Sequence, residues 1–437
     1  MEEAPLAKAL EHLTIIANLT KKTLNAGTIN DLEKLYLSFG WEVDNSALKT
    51  IKFIEKENDI KAVSNVLKTI YFPWLEESSR YLQTIIRQNG YPEVKTKRDY
   101  LYGDCILFVD GLRFDLAMLL GNNLKDNEYL ISEEMIWAAL PTVTATGKAA
   151  ISPVFDKITG LDDNTDFEPV ITSTNQRADT SRLRSLMTDN GWTVLETGDS
   201  GNGTGKAWCE FGDIDKAGHE QGWKLAKTLN VKLKEIKDKI VSLLEAGWQR
   251  VIVVTDHGWL LLPGKLPKTE LHRSLTENKW GRCSAVKQGV NVDDQYPWYW
   301  NHSLYFTLAE GVSCYIAGKE YTHGGISLQE CLNLRLTITK KNEKQKSKSI
   351  QIENSSWKGL RCVIILKGDP LKLRLDIRLN AGDKASSVVE QVNSFRDDGT
   401  TSAVVSNESL EGKKAYIVII DDTDSLVCMR ETTVGGE

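Results

Sequence analysis

Five short stretches carry residues whose types and spacing could do chemistry together. Cys105-Ile106-Leu107-Phe108-Val109-Asp110-Gly111 is an apolar run ending on a carboxylate. Val251-Ile252-Val253-Val254-Thr255-Asp256-His257-Gly258 has the same form, with a histidine added. Between them lie Pro141-Thr142-Val143-Thr144 and Asp215-Lys216-Ala217-Gly218-His219, and Thr322-His323-Gly324 follows. Carboxylates and imidazoles together make a mixed oxygen and nitrogen donor set that zinc or manganese accepts. Two such ions about 3.5–4 Å apart form a clamp for in-line displacement at phosphorus. Thr144 stands just before a predicted helix, at the positive end of its dipole. A nearby cation would lower the pKa of its hydroxyl further and fit it to attack as an alkoxide. Thr142 is the competing hydroxyl.

Each stretch also has a plainer reading. An aspartate at a strand end can simply cap the next turn, and a lone Asp-x-x-x-His or Asp-His-Gly arises in many sequences without a site. The functional reading rests on all of them occurring in workable order. Asp215 and His219 are four apart, so they share a face if that turn is helical. The two glycines after His323 let backbone approach closely.

These residues need elements to hold them. An apolar run closed by Asp predicts a buried parallel strand, and in open α/β sheets sites form at the C-terminal strand edges. Residues 99–330 alternate strand and helix, including a predicted long helix from Trp223 to Glu245 with Leu225, Leu229, Leu233, Ile236, Ile240 and Leu243 on one stripe. That alternation predicts a largely parallel sheet covered by helices. Residues 1–98 carry helical spacing and predict an N-terminal helical module. From 331 to 437 the period becomes two. Leu334, Leu336 and Ile338 alternate with polar residues, and so do Leu371, Leu373, Leu375, Ile377 and Leu379. With further strands expected at 349–353, 361–367, 387–392, 402–405 and 414–420, this part predicts an antiparallel β-sandwich. The lysine-rich Lys340–Lys348 segment reads as a solvated hairpin tip.

Composition narrows the class. The chain has 437 residues and a net charge of −6, which gives no global pull toward nucleic acid. That favours a small diester, a nucleotide or a strand end over long duplex. Seven cysteines, an odd number with no CxxC pair, point to reduced thiols and a cytoplasmic protein. No apolar run approaches the ~18–20 residues of a membrane helix.

The order Asp, Pro-x-x-Thr, Asp-x-x-x-His, Asp-His-Gly, His resembles the alkaline phosphatase superfamily. Val109–Asp115, Leu140–Thr144, Asp215–His219 and Tyr321-Thr322-His323-Gly324-Gly325-Ile326-Ser327 are similar to the PglZ family of bacteriophage-exclusion (BREX) defence systems. The resemblance implies an alkaline-phosphatase-like α/β fold and a metal-dependent phosphodiesterase, phosphatase or nuclease. By that scheme Asp215, His219 and His323 hold one divalent ion, Zn²⁺ before Mn²⁺. Asp110, Asp256 and His257 hold a second, and Thr144 bridges them as nucleophile. Phosphodiesters, nucleotides or nucleic acid would be substrates, and other defence proteins would be partners. Around this core, Arg113 either holds a phosphate or pairs with Asp115. Lys148 would reach a nonbridging oxygen, and His272 and Arg273, with Trp280-Gly281-Arg282, form either a lid or substrate wall or a plain surface loop. The alternative is a scaffold or regulatory component of a defence complex whose metal site is structural. A sulfatase is excluded, because its modified nucleophile derives from Cys or Ser and Thr144 cannot supply it.

Overall fold

The computed structural model describes residues 5–24, 27–95, 99–125, 128–162, 166–271, 276–277, 280–287, 289–290, 292, 294–341, 351–367, 370–422 and 424–436. The chain divides into two compact units, Met1–Lys340 and Lys341–Glu437.

The first unit is built on a six-stranded mixed sheet. Its strands are Asp104–Asp110 (β1), Tyr129–Trp137 (β2), Thr193–Leu195 (β3), Lys206–Asp213 (β4), Arg250–Val254 (β5) and Leu332–Lys340 (β6), in the spatial order β2-β6-β5-β1-β4-β3. The four strands β5, β1, β4 and β3 are parallel; β6 runs antiparallel to both β5 and β2. The expected mostly parallel sheet is therefore mixed, because β6 enters it between β2 and β5. The alternation of Leu334, Leu336 and Ile338 does mark an antiparallel strand. It belongs to this sheet and not to the C-terminal β-module.

Strand β1 explains why helices cover both faces. Period-two geometry turns its residues alternately to opposite sides. Cys105, Leu107 and Val109 join the larger apolar core, and Ile106 and Phe108 join a smaller one. The larger core includes Leu229, Leu233, Ile236 and Ile240 of the helix Leu225–Glu245, whose whole predicted stripe is buried. The smaller includes Leu183 and Met187 of Thr180–Asp189 and Ala149 of Thr144–Ile151. A strand apolar on both faces needs cover on both.

Five helices precede the sheet, Pro5–Leu19 (α1), Ile29–Leu35 (α2), Trp41–Lys52 (α3), Glu57–Ile70 (α4) and Phe72–Asn89 (α5), with a π-helical turn at Tyr36–Gly40. They share the larger core with the sheet and are stitched to it by buried polar contacts. Asp44, fully buried on α3, accepts from Tyr36 Oη (2.7 Å), Tyr71 Oη (2.6 Å) and Gln329 Nε2 (2.9 Å). Gln83 of α5 donates to the carbonyls of Gly311 and Ile326 and accepts from Gly311 N. A buried side chain that must meet these partners fixes the helices to the loops leading into the site.

The second unit holds two antiparallel sheets around one core. Gln351–Lys358, Arg361–Lys367 and Thr400–Val404 form one; Asn393–Ser394, Arg374–Arg378, Lys414–Ile420 and Leu426–Thr433 form the other. Cys362, Ile364 and Leu366 from the first meet Leu375, Ile377, Ile417 and Ile419 from the second. Leu371 and Leu379 lie beyond the strand and are exposed, so the run of five alternating residues overstates it at both ends. The strand expected at 387–392 is not formed, and Leu426–Thr433 was not signalled. The lysine-rich segment falls almost entirely outside the described residues. All seven cysteines are free thiols. No described helix is long and apolar enough to cross a membrane.

Candidate active site

The parallel strands deliver three carboxylates to one edge. Asp110 ends β1; Asp256 lies two residues past β5; Asp215 follows β4 in the first turn of Ile214–Gln221 (α6). That turn is helical, so Asp215 and His219 share a face. His219 Nε2 lies 3.5 Å from Asp215 Oδ2. The helix Thr144–Ile151 (α7) starts on Thr144 itself, which places the hydroxyl at the positive helix end. Gly147 lets α7 settle on the backbone of Asp256, since a Cβ there would lie 2.8 Å from the Asp256 Cβ. Gly218 does the same beneath Tyr321, where an added Cβ would meet the ring at 2.2 Å.

The seven expected residues come together. His323 Nε2 is 3.4 Å from Asp215 Oδ1 and 3.0 Å from His219 Nε2. His257 Nε2 is 3.1 Å from Thr144 Oγ1, 3.9 Å from Asp110 Oδ1 and 3.7 Å from Asp256 Oδ2. The His257 and His323 rings stack with centroids 4.0 Å apart. Among the described residues, two sets of donor atoms converge tightly enough for a metal ion: Asp215 with His257 and His323, and Asp110 with Asp256 and His257. His257 thus stands between the two clusters.

The donor chemistry fits cations. His323 Nδ1 faces the Thr142 carbonyl at 2.9 Å, and His257 Nδ1 faces the Gly258 carbonyl at 3.0 Å. A carbonyl only accepts, so each Nδ1 carries the proton and each Nε2 keeps its lone pair for the site. Burial, then the neighbouring His257, pushes the His323 pKa down to about 4, so its imidazole is neutral at ordinary pH. Buried Asp110 Oδ1 and Asp256 Oδ2 have no hydrogen-bond partner. Burial, then Asp215, raises the Asp256 carboxyl to about 7, and burial with Asp256 raises Asp110 as well. Burial alone would raise Asp215 too, but His323, His257 and His219 outweigh it and hold this carboxylate below its usual range. Orphaned carboxylate oxygens crowded this way call for positive charge.

Other groups orient the donors. Tyr321 Oη donates to Asp215 Oδ1 at 2.8 Å. The His323 loop is held by a fully buried ion pair: Glu330 takes Arg282 Nε (3.1 Å) and Nη2 (2.9 Å), and also Gly325 N and Ser327 Oγ. Arg282 is therefore a support and not part of a substrate wall. Trp298 Nε1 donates to Thr146 Oγ1, and Trp300 Nε1 to the Thr146 carbonyl, so the aromatic cluster props α7. The supporting roles of Tyr321 and Glu330 were not read from the sequence, because Tyr321 acts on Asp215 and Glu330 on Arg282, both distant in the chain.

The flanking residues divide. Arg113 takes the second of its two expected partners. It is buried and grips Asp115 through Nε (2.6 Å) and Nη2 (2.9 Å), so it does not serve as a phosphate clamp. Lys148 stands beside Thr144, but its ammonium is bonded to Glu210 Oε2 at 2.8 Å. His272 and Arg273 lie outside the described residues. A cavity of ≈ 220 Å³ opens beside Thr144, and an open cleft of ≈ 500 Å³ opens beside Asp110; Lys148 lines both.

Carboxylates and imidazoles thus gather around the hydroxyl of Thr144, the first residue of α7, in a donor set whose chemistry suits divalent cations. No protein-family model and no curated protein matches the chain. Among solved structures, it is similar to murine ectonucleotide pyrophosphatase/phosphodiesterase 5, an inactive variant in complex with AMP. The identity is 9% over 54% of this chain and 87% of that chain, with a TM-score of 0.34. A likeness of that size carries neither activity nor ligand across.

Proposed function

We propose that this chain is a metal-dependent phosphoric ester hydrolase in which Thr144 is the nucleophile, as the motif resemblance to the alkaline phosphatase superfamily implies. The observation that carries the reading is the 3.1 Å approach of Thr144 Oγ1 to Nε2 of His257, the residue common to both groups of donors. Asp215, His219 and His323 would hold one ion, and Asp110, Asp256 and His257 the other, Zn²⁺ first and Mn²⁺ second. Bound there, such ions supply a lowered hydroxyl pKa and neutralise the phosphoryl oxygens. The chain's own residues supply the rest. The α7 start favours negative charge on Thr144 Oγ1. Tyr321 Oη orients Asp215. Thr144 Oγ1 gives up its proton to solvent and forms the bond to phosphorus as the bond to the leaving alkoxide breaks, the alkoxide taking a proton from water; water then hydrolyses the threonyl phosphoester and restores the hydroxyl.

Within that class, a small phosphodiester, a nucleotide or a nucleic-acid end suits the chain better than long duplex, because its net charge is −6. The motif resemblance adds the bacteriophage-exclusion setting and its proteins as partners. Hydrolysis of bis(p-nitrophenyl) phosphate by Zn²⁺- or Mn²⁺-loaded protein is the test. Thr144→Ala is expected to lose on the order of 10³-fold or more, and turnover at the wild-type rate refutes the nucleophile. In a host that excludes phage, Thr144→Ala is expected to abolish exclusion. If exclusion survives that change yet fails when the metal ligands are removed, the site is structural in a defence scaffold.

A further inference from the structure

The cations nearest Thr144 are already paired. Lys148 projects from the first turns of α7, its ammonium 5.0 Å from the Phe108 ring centroid and 2.8 Å from Glu210 Oε2. Glu210 is itself anchored, because its other oxygen accepts from Trp208 Nε1 at 3.0 Å. Trp208 is fully buried and stacks on Phe108, so the carboxylate is held on a rigid base. Arg177, the other cation lining the cavity beside Thr144, pairs with Glu168 at 2.7 Å. The cleft beside Asp110 is lined by Asp110, Glu210, Asp213 and Glu235 against Lys148 and Lys216.

We infer that Glu210 determines substrate specificity: by holding the Lys148 ammonium it withholds a cation from the phosphoryl group and turns the site toward diesters over monoesters. This rests on the hydrolase reading above. A monoester at neutral pH carries close to two negative charges and a diester one. An unpaired ammonium beside the reacting phosphorus would favour the more highly charged ester through charge-assisted hydrogen bonds. A neutral Lys148–Glu210 pair gives up that advantage. Space points the same way. Two cavities, of ≈ 220 Å³ and ≈ 500 Å³, both border Lys148, one reaching Thr144 and the other Asp110, which leaves room for both substituents of a diester.

The test compares kcat/KM for p-nitrophenyl phosphate and bis(p-nitrophenyl) phosphate in wild type, Glu210→Gln and the double variant Glu210→Gln with Lys148→Gln. Inorganic phosphate binding, read by tryptophan fluorescence, gives an arm that needs no turnover. Wild type is expected to prefer the diester. Glu210→Gln removes the charged partner and leaves the ammonium only the weak contact to Thr180 Oγ1 at 3.4 Å; it is expected to raise the monoester-to-diester ratio about tenfold or more, and to tighten phosphate binding similarly. The double variant is expected to lose both gains. Glu210→Asp, one methylene shorter, serves if the glutamine variant does not fold and is expected to shift the ratio the same way by less. An unchanged ratio and unchanged phosphate affinity in a folded, active variant overturn the inference and leave the hydrolase reading standing. Wild type inert toward both esters, with phosphate binding still tightened by Glu210→Gln, overturns the hydrolase reading and leaves Glu210 as the group that masks Lys148.

Discussion

Thr142 and Thr144 are two residues apart and have opposite surroundings. The Thr142 hydroxyl is fully buried, donates to the Gly325 carbonyl at 2.8 Å and accepts from Gly324 N at 3.1 Å. Both of its hydrogen-bonding functions are spent on the loop that carries His323. Thr144 faces His257 at the start of a helix. The two alanine variants should therefore separate. Thr142→Ala is expected to cost about 1–3 kcal/mol of stability, because it orphans buried backbone groups. Thr144→Ala is expected to stay within about 0.5 kcal/mol of wild type while losing turnover. Urea unfolding beside diester hydrolysis measures both. The carboxylates give a pH prediction. Asp256, at about 7, carries a proton in the metal-free site below neutrality, and burial beside it raises Asp110 as well. A cation must displace that proton, so affinity falls as pH falls through 7 and rises as pH rises through it. His323, at about 4, is already neutral across that window and adds nothing. Calorimetry at pH 6.5 in buffers of different ionisation heat is expected to show net proton release, and its absence would contradict this account of the donors. At this scale the sequence named the side chains that meet in the structure, because carboxylate and imidazole chemistry belongs to single residues. The choice between the hydroxyls was not fully legible, since it depends on what Gly324 and Gly325 do 182 and 183 residues away.

The elements set how firmly those residues are held. Parallel strands that end together bring Asp110, Asp215 and Asp256 to one edge, and apolar runs closed by aspartate announced two of the three. The loop bearing His323 has no regular structure across Gly324–Ile326 and depends on Glu330 and Arg282. Breaking a buried ion pair on one side leaves an uncompensated charge. Arg282→Met is therefore expected to destabilise the protein by about 3–5 kcal/mol and to weaken metal binding through His323. Wild-type melting with intact metal affinity would show that the loop is held by something else. Arg282 read as a candidate substrate contact because it follows the Asp256 loop in sequence. Its burial comes from Glu330, the carbonyls of Ala309 and Gly311 and its other neighbours, which no local pattern encodes.

At the scale of the molecule, every candidate ligand lies in Met1–Lys340, and Leu332–Lys340 is an interior strand of its sheet, paired on both sides. A protein ending at Lys340 is expected to keep a folded circular-dichroism spectrum, metal binding and diester hydrolysis. One ending at Cys331 is expected to lose all three, since β2 and β5 would be left without the strand between them. Equal behaviour of the two truncations would contradict the sheet order. The periodicity of that strand was visible in the sequence, but its membership was not. An alternating strand looks the same whichever sheet completes it, and pairing is decided by residues far apart in the chain. The helix-covered α/β class and the β-rich C-terminal part were legible because each repeats one burial pattern over many residues. The central claim is that distant motifs close around a pair of cations at Thr144. Anomalous scattering from crystals grown with Zn²⁺ tests it most directly. Two peaks are expected, one among Asp215, His219 and His323 and one among Asp110, Asp256 and His257, with Thr144 Oγ1 between them. No peak in either cluster, with zinc bound elsewhere or not at all, would contradict the account.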